Sequence, residues 1–188
     1  MGNLQAESGL CPYRLQGDFS DGYSTSVNYT AQVDSGAISK NDFVHNGPGG
    51  GGYGLAQWTF YTRKQALYEK WKSGGYSSIG SIELACDYLF YELENTYPSV
   101  LSVLKSASSI REASDVVLHD FENPADQSTE VEFLRASLGQ AIYDELSGTG
   151  GGGGGGGEPT TKTSKKRNYN FVLFNKNRRR TQWKSRKF

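Results

Sequence analysis

The sequence predicts a mainly α-helical domain over residues 1–146, followed by a glycine-rich linker at 147–160 and a basic tail at 161–188. Three observations carry this reading. Apolar residues recur at helical spacing in five successive stretches after residue 60. Residues 150–157 are eight consecutive glycines, a segment with no side chain to pack and therefore a flexible tether. The charge is also divided: residues 162–188 hold eleven Lys or Arg and no acid, whereas residues 1–161 hold nine basic and twenty acidic residues. The net charge of zero is thus a cancellation of −11 against +11, which marks the tail as a separate module.

Taken in order, residues 1–8 read as the last turns of a helix, with Gly9 and Pro12 closing it. Residues 13–52 lack apolar periodicity and are rich in Ser, Asp, Asn and Gly, which predicts a long loop or small β excursion. Asn46-Gly47-Pro48 and the glycines at 49–52 break any regular element. A helix over Phe60–Lys72 places Leu67 and Trp71 on one face, and Ser73-Gly74-Gly75 ends it. In residues 81–96, Ile82, Cys86, Leu89 and Leu93 form a buried stripe. Pro98 opens a short helix carrying Val100, Leu101 and Leu104. Residues 110–121 repeat the pattern with Ile110, Ala113, Val117 and Phe121, and Pro124 stops it. Thr129 and Glu132 predict a capping box for a last helix bearing Val131, Leu134, Leu138 and Ile142, ending near Leu146.

Composition narrows the chemistry. With His45 and His119 the only histidines and no CxxC or HExxH spacing, the sequence predicts neither a metal site nor a small-molecule cofactor. Cys11 and Cys86 are too few for a disulfide framework, although they are able to pair. The sequence shows no signal-peptide pattern and no apolar run of membrane-spanning length. The acidic body is a poor nucleic-acid platform. The 12 Tyr, 9 Phe and 3 Trp suit either carbohydrate faces or a small aromatic core.

Three segments carry a family likeness. Gly2-Asn3-Leu4-Gln5-Ala6-Glu7-Ser8 resembles the helix end of goose-type lysozymes, lytic transglycosylases and phage tail lysozymes. Tyr53-Gly54-Leu55-Ala56-Gln57-Trp58-Thr59, with Arg63-Lys64, is similar to a segment of the phage tail lysozyme family. Phe121-Glu122-Asn123-Pro124-Ala125-Asp126, with Arg135-Ala136, resembles that family's closing motif, and the three segments stand in family order over roughly residues 1–146.

The resemblance implies a lysozyme-like fold and cleavage of the peptidoglycan glycan backbone, with Glu7 as general acid at a helix end. Such an acid must hold its proton near neutral pH, which desolvation makes possible. Gln57 is expected to line the cleft as an amide contact, with Tyr53 and Trp58 near the sugar faces and Gly54 letting backbone approach a sugar. For the second carboxylate, Asp18, Asp21 and Asp34 follow Glu7 in the next loop, and Asp34 is the preferred candidate. Glu122 is assigned a structural role toward backbone or Arg135 donors. A lytic transglycosylase using Glu7 alone is the alternative, as is a non-catalytic wall-binding virion protein. A cysteine peptidase or amidase requires Cys11 or Cys86 beside His45 or His119.

The expected partners are glycan strands, anionic wall polymers attracted by the basic tail, and other phage tail proteins, with a location on the virion tail or the host wall. Lipid headgroups and nucleic acid are rival partners for the tail. In these families the acid-bearing helix has further turns upstream, whereas only six residues precede Glu7 here. The expectation is therefore a truncated start or an internal Met1, with Glu7 more exposed to water.

Overall fold

The computed structural model describes residues 1–47 and 51–148. The eight glycines and the basic tail, with the readings that rest on them, lie outside the described residues. Among the described residues eight α-helices follow in order: α1 (Gly2–Ser8), α2 (Ser24–Ser35), α3 (Lys40–His45), α4 (Tyr61–Gly74), α5 (Ile82–Asn95), α6 (Pro98–Ser106), α7 (Ile110–Val117) and α8 (Thr129–Ser147). No strand occurs among the described residues; the small β excursion reduces to single bridges, Leu15 to Tyr53 and Tyr53 to Trp58.

The helix ends follow local chemistry. Gly9, Gly36, Gly75 and Gly148 close α1, α2, α4 and α8 in the left-handed conformation that glycine adopts without steric cost. Ser81 and Ser109 accept from Leu84 and Glu112 N–H to cap α5 and α7, and Pro98 starts α6. The predicted capping box is corrected: Ser128 precedes α8 without a side-chain cap bond. Glu132 instead binds Arg111 and His119, because an ion pair with α7 competes better than an exposed cap.

The expected long loop at 13–52 is also corrected, since it contains α2 and α3. The polar residues that hide α2 from a hydrophobic pattern are themselves buried and paired. Ser26 donates to Asp18 at 2.5 Å, and Thr30 shares a 2.8 Å hydrogen bond with Tyr53. Val33 alone supplies a fully buried apolar contact from this helix.

The core gathers Val33, Phe43, Tyr53, Leu55, Trp58, Leu67, Leu84 and Tyr88 between α2, α3, α4 and α5. A second packing layer sets α1 against α8 and α7. There Leu134, predicted to face inward, is 55% exposed, whereas Arg135 is buried. The seam explains this reversal. A Cβ on Gly2 would lie 2.1 Å from the Arg135 carbonyl oxygen and 2.4 Å from Gly139 N, so α1 approaches α8 closer than any side chain permits. Among the described residues, no helix is long and apolar enough to cross a membrane.

Candidate active site

The α1–α8 seam brings Glu7 to Arg135. Arg135 Nη2 donates to Glu7 Oε1 at 2.6 Å, while Nη1 donates to Glu122 Oε2 at 2.5 Å. Glu122 stands at the end of a π-helical turn, Leu118–Glu122, which continues α7 and swings the carboxylate toward the seam. Asn3, one turn before Glu7, donates to Glu122 Oε2 at 3.3 Å and to the Ser114 carbonyl at 3.2 Å. Ser114 Oγ returns a bond to Asn3 Oδ1 at 3.0 Å. Two carboxylates thus share one guanidinium.

The three members differ in exposure. The Glu122 and Arg135 side chains are 3% and 9% exposed, and that of Glu7 is 21% exposed. Burial pushes the Glu122 carboxyl up to about 7, with Arg135 opposing the rise and Glu7 adding to it. The Glu122 Oε1 atom is buried with no hydrogen-bond partner among the described residues. The Glu122–Arg135 contact expected from sequence is present, and it reaches one residue further, to Glu7.

Ser8 links this seam to the second motif by donating to the Leu55 carbonyl at 2.8 Å. The motif's aromatic residues face inward. Trp58 is fully buried, and its Nε1 donates to Glu92 at 2.7 Å; Tyr53 is 1% exposed and hydrogen-bonded to Thr30. The expectation that both stand near sugar faces is therefore corrected. Gly54 is corrected similarly: a Cβ there would meet the Trp58 ring at 3.0 Å and the Pro12 carbonyl at 3.1 Å, so its smallness serves packing. Gln57 stays half-buried in a left-handed conformation, φ 48°. Its Nε2 donates at 3.0 Å to the carbonyls of both Arg14 and Gly54.

The acids of the next loop also serve the fold. Asp34 Oδ1 accepts from Ile79 N at 2.9 Å and Oδ2 from Ser78 Oγ at 2.7 Å, so the preferred second carboxylate ties α2 to the turn before α5. Asp18 accepts from the backbone N–H and hydroxyl of both Ser20 and Ser26. Although burial opposes them, these four bonds hold its carboxyl well below the usual range.

Sequence reasoning missed Glu92, which occupies the polar hub of the core. Its carboxylate accepts two bonds from Arg63, at 2.6 and 2.8 Å, besides those of Trp58 and Tyr88. The available signal was the Trp58 and Arg63 spacing within one motif, since a buried indole N–H and guanidinium both need an acceptor.

The thiol reading fails on geometry. Cys11 and Cys86 are unpaired, and burial pushes both thiols up, away from the reactive thiolate. His119 commits its ring nitrogens to Gln127 and Glu132, while His45 stacks on Tyr61. No group of three His, Cys, Asp or Glu able to hold a metal ion occurs among the described residues.

Comparisons with the curated proteins and with the solved structures return no match. The family model described as phage tail lysozyme matches residues 1–146, the whole of the helical domain with its Glu7–Arg135–Glu122 cluster. The chain belongs to the phage tail lysozyme family.

Proposed function

We propose that the chain cleaves the bond between MurNAc and GlcNAc in the glycan strands of peptidoglycan, with Glu7 donating the proton. Family membership supports lysozyme-like action on peptidoglycan in a virion setting. The observation that carries the residue assignment is the cluster at the α1–α8 seam, where Glu7 is the member reachable from solvent.

Breaking the glycosidic bond requires a proton on the departing oxygen as the C1–O bond lengthens. A guanidinium stabilises the ionised form of the acid it pairs with, so donation by Glu7 requires Arg135 to turn toward another anion. Glu122, which Arg135 already bonds through Nη1, is that anion once ionised. A sugar covering Glu7 removes water and favours a neutral acid there, while Glu122 gives up its proton and takes Arg135. The two carboxylates hold one proton in both arrangements, and only its location changes.

Water or an internal hydroxyl then captures the oxocarbenium-like centre. Of the three candidate second acids, Asp18 and Asp34 are committed to internal hydrogen bonds and Asp21 is exposed to solvent in the turn before α2, which favours a single-acid route for the second step. That supports the transglycosylase alternative, in which the C6 hydroxyl of MurNAc attacks C1, passes its proton to the Glu7 carboxylate left by the first step, and leaves an anhydro end. Gln57 Oε1 remains the proposed amide contact. The basic tail concentrates the enzyme on anionic wall polymers or tail partners through its eleven positive charges.

Mass spectrometry of digested peptidoglycan tests the assignment. The expected products are disaccharide muropeptides, with anhydro ends under the single-acid route and reducing ends under hydrolysis. Glu7→Gln should lower their release at least ~100-fold while the helical fold persists. Release of free stem peptides, or an active Glu7→Gln variant, overturns the proposal.

A further inference from the structure

We propose that the groove beside Phe19 is a glycan subsite, binding an N-acetylated sugar ring of the strand against the phenyl face. Phe19 is 89% exposed, the most exposed large apolar side chain among the described residues.

The loop is anchored on both sides of Phe19. The buried Asp18 carboxylate holds Ser20 through backbone and hydroxyl, and holds Ser26 in α2 in the same way. Asp18 N–H donates to the Leu15 carbonyl at 3.2 Å, and Arg14 Nη2 donates to the Asp18 carbonyl at 2.9 Å. A buried charge with four hydrogen bonds is a costly anchor for a surface loop. It fixes the backbone on which the ring stands, which lowers the ordering cost of ligand binding.

Beside the ring lies a groove of about 400 Å³ with Leu15 at its floor and Gln16, Ser20 and Thr25 on its walls. The size is within the range of small-ligand sites. An apolar ring bordered by an amide and the Thr25 hydroxyl matches the two aspects of a sugar, its C–H face and its equatorial hydroxyls. Gln16 Oε1 accepts from Gly52 N–H at 3.2 Å, and its amide nitrogen makes no hydrogen bond among the described residues. That donor suits an N-acetyl carbonyl.

The groove lies close to the second motif through Gln16. A Cβ on Gly52 would lie 3.0 Å from the Oε1 atoms of both Gln16 and Gln57, so the two amides are neighbours. Toward Glu7, Arg14 lies over the Tyr23 ring at 4.2 Å, and the Tyr23 hydroxyl stands against Gly9 at the end of α1. A glycan that enters past Phe19 thus meets Gln16, Gln57 and then the helix end.

This inference rests on the glycan-cleaving reading, and two measurements separate their failures. Initial rates on soluble uncrosslinked glycan strands should give Phe19→Ala a KM raised about three- to tenfold, the loss expected for one ring contact. Its kcat should match the wild type, and Phe19→Trp should restore KM. Phe19→Trp fluorescence should also change on titration with N-acetylchitotetraose, relative to the wild type. Unchanged KM in Phe19→Ala overturns the subsite while leaving the enzymatic reading intact. If the wild type releases no glycan fragments, that reading fails, and the titration alone decides: a spectral response supports the subsite, and silence overturns it.

Discussion

Arg135 lies 2.6 Å from Glu7, although 127 residues separate them in the chain. The same guanidinium lies 2.5 Å from Glu122, so one buried cation governs two acids. A partly exposed acid and a buried one then compete for it, and the outcome depends on pH.

Glu122→Gln should expose that competition. The amide still accepts a hydrogen bond from Arg135, but it cannot take the guanidinium's charge from Glu7. We expect kcat/KM to fall about tenfold, in line with the loss of part of the acid's contribution. The alkaline limb of the pH profile, near 7 in the wild type from Glu122, should move to lower pH. An unchanged profile would show that Glu122 only packs. For stability the sign is opposite to that of an acid whose pKa is lowered by folding. A carboxyl raised above its unfolded value disfavours folding progressively as pH climbs from about 4.5 to 7. Removing it should flatten that decline in melting temperature.

Gly2→Ala should separate α1 from α8. The new Cβ would stand 2.1 Å from the Arg135 carbonyl oxygen, so backbone has to move by more than an ångström. Overpacking of this kind costs about 1–3 kcal/mol. Displacing the acid from its cluster should lower kcat by up to ~10²-fold. Calorimetry and muropeptide release together check this, and full activity at a lowered melting temperature would sink the link between seam and site.

Asp18→Asn should destabilise the fold by roughly 2 kcal/mol, because an amide cannot accept all the bonds from Ser20 and Ser26. Asp18 has a folded-state pKa held below its unfolded value, so its contribution is present above about pH 4 and is lost as pH falls below that. Acid titration of the melting temperature should therefore be shallower in the variant. The same substitution loosens the Phe19 loop, so it should also weaken binding of glycan strands.

Trp58→Phe should cost stability alone. It removes the 2.7 Å indole donor to Glu92, and about 1–2 kcal/mol is the usual effect of such a loss. Because Trp58 is fully buried, KM for soluble glycan should not change. A raised KM at unchanged stability would return this residue to the sugar face that its motif suggests.

The helices from α4 onward were legible in the sequence because their signals are local: apolar spacing, a proline at the start of α6 and glycine stops. Residue Glu7 was legible only through its neighbours, Asn3 and Ser8, in a short motif. Helix α2 was not, because it packs through Ser26 and Thr30, whose burial depends on Asp18 and Tyr53 elsewhere in the chain. The same reason separates Phe19 from Trp58 and Tyr53. All three are aromatic in sequence, yet long-range hydrogen bonds place two in the core and leave one at the surface. By itself, then, the sequence determined α1 and the helices from α4 onward, and where a candidate acid stands. Tertiary structure decided which carboxylates are free and which are tied, because a side chain's role depends on partners that folding brings within hydrogen-bond reach.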